Sequence, residues 1–147
     1  MDSETAHDAA RRTQLDLLVD TIVHALCRGD LETVMASLTD DIEYDLVGSS
    51  PSSLRGKDEV RAHHVREFAN TMPERDIPLR RLHGDGFVID EVVWEGRITG
   101  RVGPLIGSGR RVSHRILRIF EMRDRLVARQ TIYSDFAAIT RQLAPMR

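Results

Sequence analysis

Apolar residues at Leu15, Leu18, Ile22, Ala25 and Leu26 recur at helical spacing and predict a first helix running to about Cys27. Gly29 stops it. Asp30 then caps a short second helix carrying Val34, Met35 and Leu38. From residue 39 the period changes to two: Ile42, Tyr44 and Leu46 fall on one face of a strand, and Glu43, Asp45 and Val47 on the other. The SSPSS stretch at 49–53 reads as a loop. Gly56 and Lys57 lead into a third helix with Val60, His64, Phe68 and Met72 along one stripe. Pro73 ends that helix, because the residue before a proline avoids helical geometry.

Beyond Pro73 the pattern is almost all strand. A strand is predicted over 77–82, and Gly84-Asp85-Gly86 turns the chain. A long strand over 87–101 follows. Its Val88, Val92, Trp94 and Ile98 face one way, and Glu91, Glu95, Arg97 and Thr99 mostly face the other. Glycines 100, 103, 107 and 109 surround a turn, and strands follow over 112–121 and 126–133. Asp135 caps a final helix containing Phe136, Ile139 and Leu143. Helices first and a meander of long strands afterwards predict an α+β fold, with helices packed on one face of a curved antiparallel sheet. Such a sheet closed by helices makes a cup, and a cup is a site for a small molecule.

A chain of 147 residues, 41% of them hydrophobic, suffices for one domain with a core of its own. The domain is expected over 11–147, with residues 1–10 frayed. The net charge of −2 and the interleaving of arginines with acids argue against nucleic acid and an anionic membrane as partners. No apolar run is long enough to span a bilayer. Cys27 is the only cysteine, lies at a helix end without a catalytic signature, and fits a reducing cytoplasm.

Two motifs carry a family resemblance. EGRITGRVG followed by GRRVS and LRIF resembles the central hairpin of SnoaL-like polyketide cyclases, and DFAAITRQL resembles their closing helix. GDLETVMASLTDDIEYDLVGS is similar to the helix and first strand of ketosteroid isomerases. All belong to the nuclear transport factor 2-like superfamily, and the resemblance spans residues 12–144. It implies a cone-shaped curved sheet covered by N-terminal helices, the cystatin-like α+β roll. The fold itself hosts isomerases, cyclases, dehydratases, hydrolases and non-enzymes.

Carried over residue by residue, the resemblance makes Asp45, in Asp45-Leu46-Val47-Gly48, the counterpart of the isomerase general base. The isomerase oxyanion tyrosine falls at Ile22, and its partner acid at Arg115. The histidine of the cyclases falls beside that point, at His114. Strand alternation puts His114 and Arg115 on opposite faces, so only one looks into the cup unless a bulge intervenes. Cyclases and epoxide hydrolases of this fold carry an acid three positions before the final-helix aspartate, where this chain has Ile132.

The expected function is therefore a small, cofactor-independent enzyme: an isomerase, cyclase or dehydratase acting by acid–base chemistry on an apolar polycyclic or polyketide-like carbonyl compound. Asp45 would remove a proton alpha to the carbonyl, and His114, Arg115 or Tyr44 would stabilise the oxyanion. Ile22, Trp94, His64, Phe68, Leu117 and Ile132 are the expected substrate contacts. The alternatives are a limonene-epoxide-hydrolase type of enzyme, for which Tyr44 matches a water-holding tyrosine, and a non-catalytic binder of an apolar molecule. Trp94 reads as pocket wall or dimer contact, and a homodimer through the outer sheet face is expected. No metal is expected. No histidine and carboxylate set has the spacing of a zinc or iron site, and His63 and His64, adjacent on a helix, point different ways.

Overall fold

The structure is a computed structural model that describes residues 2–144. Helix α1 (Asp2–Arg28) leads to α2 (Leu31–Ala36), strand β1 (Leu38–Val47), the short β2 (Ser53–Arg55) and α3 (Gly56–Asn70). Strands β3 (Thr71–Gly84) and β4 (Phe87–Ile98) follow, then a small hairpin of β5 (Arg101–Val102) and β6 (Leu105–Ile106). Strands β7 (Arg111–Arg123) and β8 (Leu126–Ser134) precede the closing helix α4 (Phe136–Leu143). The fold is α+β, as the pattern predicts. Residues 2–10, expected to be frayed, form the first turns of α1, and their described side chains are exposed. Met1 and residues 145–147, also within the expected boundaries, lie outside the described residues.

The main sheet has six strands in the order β2-β1-β8-β7-β4-β3. Every pairing is antiparallel except β1 with β8, which is parallel, so the sheet is mixed rather than purely antiparallel. The cause is connectivity: β1 comes first among the strands and closes against the last through intervening helix and meander, not through a hairpin. Helix α3 packs on β1, α4 on β7, and α1 against β3 and β4.

Local signals place most of these elements. Gly29 has φ +67°, the left-handed conformation that stops α1. Asp30 caps α2, accepting from the Thr33 amide at 3.2 Å. Asp135 caps α4 through the Ala138 amide at 3.0 Å. Two expected helical positions belong to strands instead. Leu38 opens β1 and is buried, and Met72 lies in β3 and is 57% exposed. Strand β3 starts directly after α3 and carries both Pro73 and Pro78, tolerated because it is an edge strand whose pairing shifts register beside each proline.

Tyr44, Ile42, Leu38, Val60, Val88, Phe120 and Val127 meet Val19 and Ile22 of α1 in the main core. A smaller core of Ile98, Leu105, Val112 and Ile139 lies under α4. Gln142 docks that helix as a strand partner would: its Oε1 accepts from the Ser113 amide at 2.8 Å, and its Nε2 donates to the Ser113 carbonyl at 2.7 Å. Phe120 is fully buried in the main core. Phe120→Ala is expected to cost about 3–5 kcal/mol of stability through lost burial and a residual cavity. Urea unfolding checks this, and a midpoint unchanged from wild type would place the core elsewhere.

Candidate active site

A cavity of about 540 Å³ opens between the inner face of the sheet, α3, α4 and the β5–β6 hairpin. Its wall is largely apolar, with Leu46, Leu54, Phe68, Trp94, Ile116, Ile132 and Phe136 among the lining side chains. Gly48 shapes the wall. Its φ is +91°, and a Cβ there would lie 2.7 Å from the Phe136 ring, so only glycine admits that ring to the cavity.

Strand alternation decides which expected site residues enter. Tyr44, Trp94, Phe68, His114 and Ile132 all border the cavity. Asp45 does not: with Tyr44 turned inward its neighbour faces out, where its carboxylate accepts from Arg129 Nη2 at 2.9 Å. The base role expected for Asp45 therefore has no cup to act in. Arg115 and Leu117 face outward for the same reason, opposite His114 and Ile116 on β7. Arg115 pairs there with Glu91. Ile22 packs in the core behind the cavity, and His64 is buried behind the wall without bordering it. Trp94 is pocket wall, its ring 5.4 Å from that of His114.

Three polar side chains that the sequence pattern does not single out share the cup, Asp76 of β3, Arg118 of β7 and Glu67 of α3, together with His63 of α3, which that pattern sets aside as a metal ligand. Arg118 and Asp76 are almost fully buried, and both terminal nitrogens of Arg118 donate to Asp76 Oδ2 at 3.2 Å. Asp76 Oδ1 is left without a hydrogen-bond partner among the described residues. Arg118 Nη1 also lies 4.0 Å from Asp90 Oδ2 on the inner face of β4, and Arg81 Nε donates to Asp90 Oδ1 at 2.9 Å. Arg81 reaches on to Asp16 at 3.1 Å and Asp20 at 2.9 Å on α1. A chain of alternating charges thus runs from the cavity wall to the outer helix.

The second polar sector lies on α3. His63 Nε2 is 3.1 Å from Glu67 Oε2, and His64 Nδ1 is 3.8 Å from the same oxygen. Neither contact has hydrogen-bond alignment, so both ring nitrogens stay unpartnered. The expectation that His63 and His64 diverge is overturned: their rings are 5.2 Å apart, and with Glu67 they present ligand atoms within 4.8 Å of one another. These three residues could hold a metal ion only by drawing closer, because bonds of 2.0–2.1 Å set tetrahedral ligand separations of about 3.3 Å. As placed they form an acid–base cluster beside Tyr44, whose ring lies 5.5 Å from each imidazole.

Burial sets the protonation of the cup. It pushes the Tyr44 phenol far above its ordinary value, so Tyr44 is a proton donor at neutral pH. It pushes the Cys27 thiol up, helped by Asp76, and leaves a cysteine at the cavity edge un-ionised. Burial also opposes ionisation of Glu67, but His63, His64 and Arg118 outweigh it and hold the carboxyl below its usual range. His114 is pushed down from 6.5 to about 4, first by burial and then by Arg118, so its imidazole is neutral at pH 7.

A family model described as a SnoaL-like domain matches residues 19–130. The chain belongs to the SnoaL-like domain family. This family lies in the nuclear transport factor 2-like superfamily, and solved structures agree in fold. TsrD from Streptomyces laurentii superposes with a TM-score of 0.77 at 20% identity, covering 92% of this chain and 98% of that one. A SnoaL-like polyketide cyclase from Agrobacterium tumefaciens gives 0.74 at 17% identity, covering 88% and 98%. An epoxide hydrolase of the limonene-epoxide-hydrolase-like type from Mycobacterium tuberculosis is 26% identical over 89% of this chain and 90% of its own, with a TM-score of 0.70. No curated protein matches the chain. The SnoaL-like chain is thus a small enzyme or binder of this superfamily, with a cup suited to a small molecule. Among the described residues no helix is long and apolar enough to cross a membrane.

The lowered pKa of His114 has a consequence for stability. The unfolded imidazole takes up a proton as pH falls through 6.5, while the folded one resists until about 4. The contribution of His114 is therefore complete above pH 6.5 and is lost as pH falls towards 4. His114→Gln should lose less stability than wild type over that interval, read by denaturant unfolding at pH 7 and pH 4.5. Parallel losses in the two proteins would contradict this.

Proposed function

We propose that the SnoaL-like cup is the active site of an isomerase, cyclase or dehydratase that acts by side-chain acid–base chemistry on an apolar, polycyclic or polyketide-like carbonyl compound. The observation that carries this reading is Asp76. It borders an apolar cavity, Arg118 holds one of its oxygens, and its other oxygen is unpartnered. A carboxylate so held is a positioned base for a proton alpha to a carbonyl. The developing oxyanion needs donors, and Tyr44, protonated, and the neutral His114 supply them from the same wall. The role expected for Asp45 thus passes to Asp76. The single cysteine fits a cytoplasmic setting for such an enzyme.

With any carbonyl compound that the wild type turns over, Asp76→Asn should lower the rate per folded molecule by ~10²–10⁴, as loss of a general base does, with the folded fraction read by circular dichroism because Arg118 loses its buried charge partner. Asp45→Asn should lower it far less. A rate in Asp76→Asn equal to wild type, or a larger loss in Asp45→Asn, rules out this assignment.

Epoxide hydrolysis is a second reading with an observation of its own. Ile132 removes one expected acid, yet Glu67 and Asp76 place two carboxylates in the cup together with Arg118 and Tyr44. One could activate water while a protonated group serves the epoxide oxygen. Diol formation from an apolar epoxide, abolished in Asp76→Asn, would favour it. Ligand binding without turnover of either substrate class would favour a pure binder.

We also propose a homodimer through the outer sheet face. That face leaves Val47, Phe87 and Tyr133 exposed at 40%, 37% and 47%, beside Ile89 and Ile119. Light scattering at micromolar concentration should report twice the mass of 16.7 kDa, and Ile119→Arg should return the monomer. A wild-type monomer under those conditions defeats the proposal.

A further inference from the structure

We infer that the ligand of this cup carries an anionic group, a carboxylate or a comparable oxyanion, gripped at the cavity mouth by Arg66 and Arg101 while its apolar body lies against Trp94 and Phe136. The inference rests on the reading of the cup as a small-molecule site and adds the substrate's charge to it.

The arginines of this chain are mostly spoken for. Arg55, Arg61, Arg75, Arg80, Arg81, Arg111, Arg115, Arg118, Arg123 and Arg129 each pair with a carboxylate. Arg66 and Arg101 do not: among the described residues neither guanidinium has an ion pair or a hydrogen bond, and unlike Arg12, Arg125 and Arg141, which also lack one, they lie on the cavity. Yet both border the cavity, and both are exposed, which puts them at its opening and not in its depth. They come from different elements, α3 and the β5–β6 hairpin.

Asn70 fixes how these elements meet. Its Oδ1 accepts from the Arg101 amide at 3.0 Å, and its backbone carbonyl accepts from the Thr99 amide at 2.9 Å. Its own Nδ2 donates to the Arg66 carbonyl at 2.5 Å. One side chain thus holds the backbones of both arginines while leaving both guanidinium groups unused. The carboxylates of the cup, Glu67 and Asp76, lie deeper than the two arginines, Glu67 3.1 Å from His63 and Asp76 3.2 Å from Arg118, and neither pairs with Arg66 or Arg101. Two unpaired guanidinium groups at the mouth of an apolar cavity match a ligand with an apolar body and an anionic oxygen-bearing end, because guanidinium donors fit oxyanions in paired geometry.

Two fluorescent probes with the same anilinonaphthalene body separate charge from apolarity: 8-anilinonaphthalene-1-sulfonate, which is anionic, and N-phenyl-1-naphthylamine, which is neutral. Each is titrated into the full chain at low ionic strength. The anionic probe should bind with 1:1 stoichiometry and ~10-fold or more tighter than the neutral one, as charge-assisted donors predict. Added salt should narrow the gap. The double variant Arg66→Gln/Arg101→Gln, whose exposed side chains leave the core untouched, should abolish the gap while still binding the neutral probe. Its melting temperature is compared with that of wild type to verify the fold. Equal affinity for the two probes in wild type, or an undiminished gap in the double variant, overturns the anion inference and leaves the apolar cup standing. Binding of neither probe overturns the cup as a binding site, and the inference with it.

Discussion

Arg118 is buried on the inner face of the sheet, and a buried guanidinium must be matched by carboxylates or it destabilises the fold by several kcal/mol. Asp76 supplies that match at 3.2 Å, with Asp90 at 4.0 Å. Asp90 is shared with Arg81, and Arg81 reaches the two aspartates of α1. The same contacts therefore position a cavity carboxylate, link β3, β4 and β7, and tie the N-terminal helix to the sheet. Removing Arg118 would leave the buried carboxylate of Asp76 without its charged partner in a dry layer, which costs more than the pair itself is worth. A site built this way is held by the framework of the fold and not by a loop.

The cup has a division of labour that follows from its geometry. Its depth is apolar, with Tyr44, His114 and the Asp76–Arg118 pair as the polar exceptions. Burial keeps Tyr44 protonated and His114 neutral, so both offer hydrogen bonds without adding charge. The His63–Glu67 cluster lies on the helix side, and the unpaired arginines lie at the mouth. An apolar body can be desolvated inside while a charged end stays near water, an arrangement that avoids the cost of burying an unpaired ionic group.

The expected carriers of the chemistry and the observed ones differ for a simple reason. Asp45 was matched through a local stretch, Asp45 to Gly48, and a local match says nothing about which face of the sheet is lined by helices. Strand alternation already separates Asp45 from Tyr44, so the two could not serve one cavity. Arg118 was within reach of the same reasoning: it lies four residues beyond His114 on an unbroken part of β7 and must share its face. Glu67 was likewise within a helical turn of His63 and His64.

The sequence by itself determined the four helices and the long strands, their order and much of their orientation, because helix stops, caps and alternation are local and act over a few residues, whereas the short β2, β5 and β6 left no such signal. Gly29, Asp30 and Asp135 sit where their chemistry requires, and His114 and Arg115 part to opposite faces as the pleat demands. Only the tertiary structure decided the parallel closure of β1 on β8, the length of β3 and the entry of Asp76 into the cup. Register shifts beside Pro73 and Pro78 break the alternation of β3, so the side on which Asp76 falls depends on pairing with β4. Which charges become partners across strands distant in sequence is likewise set by register and burial, and no pattern along the chain encodes it.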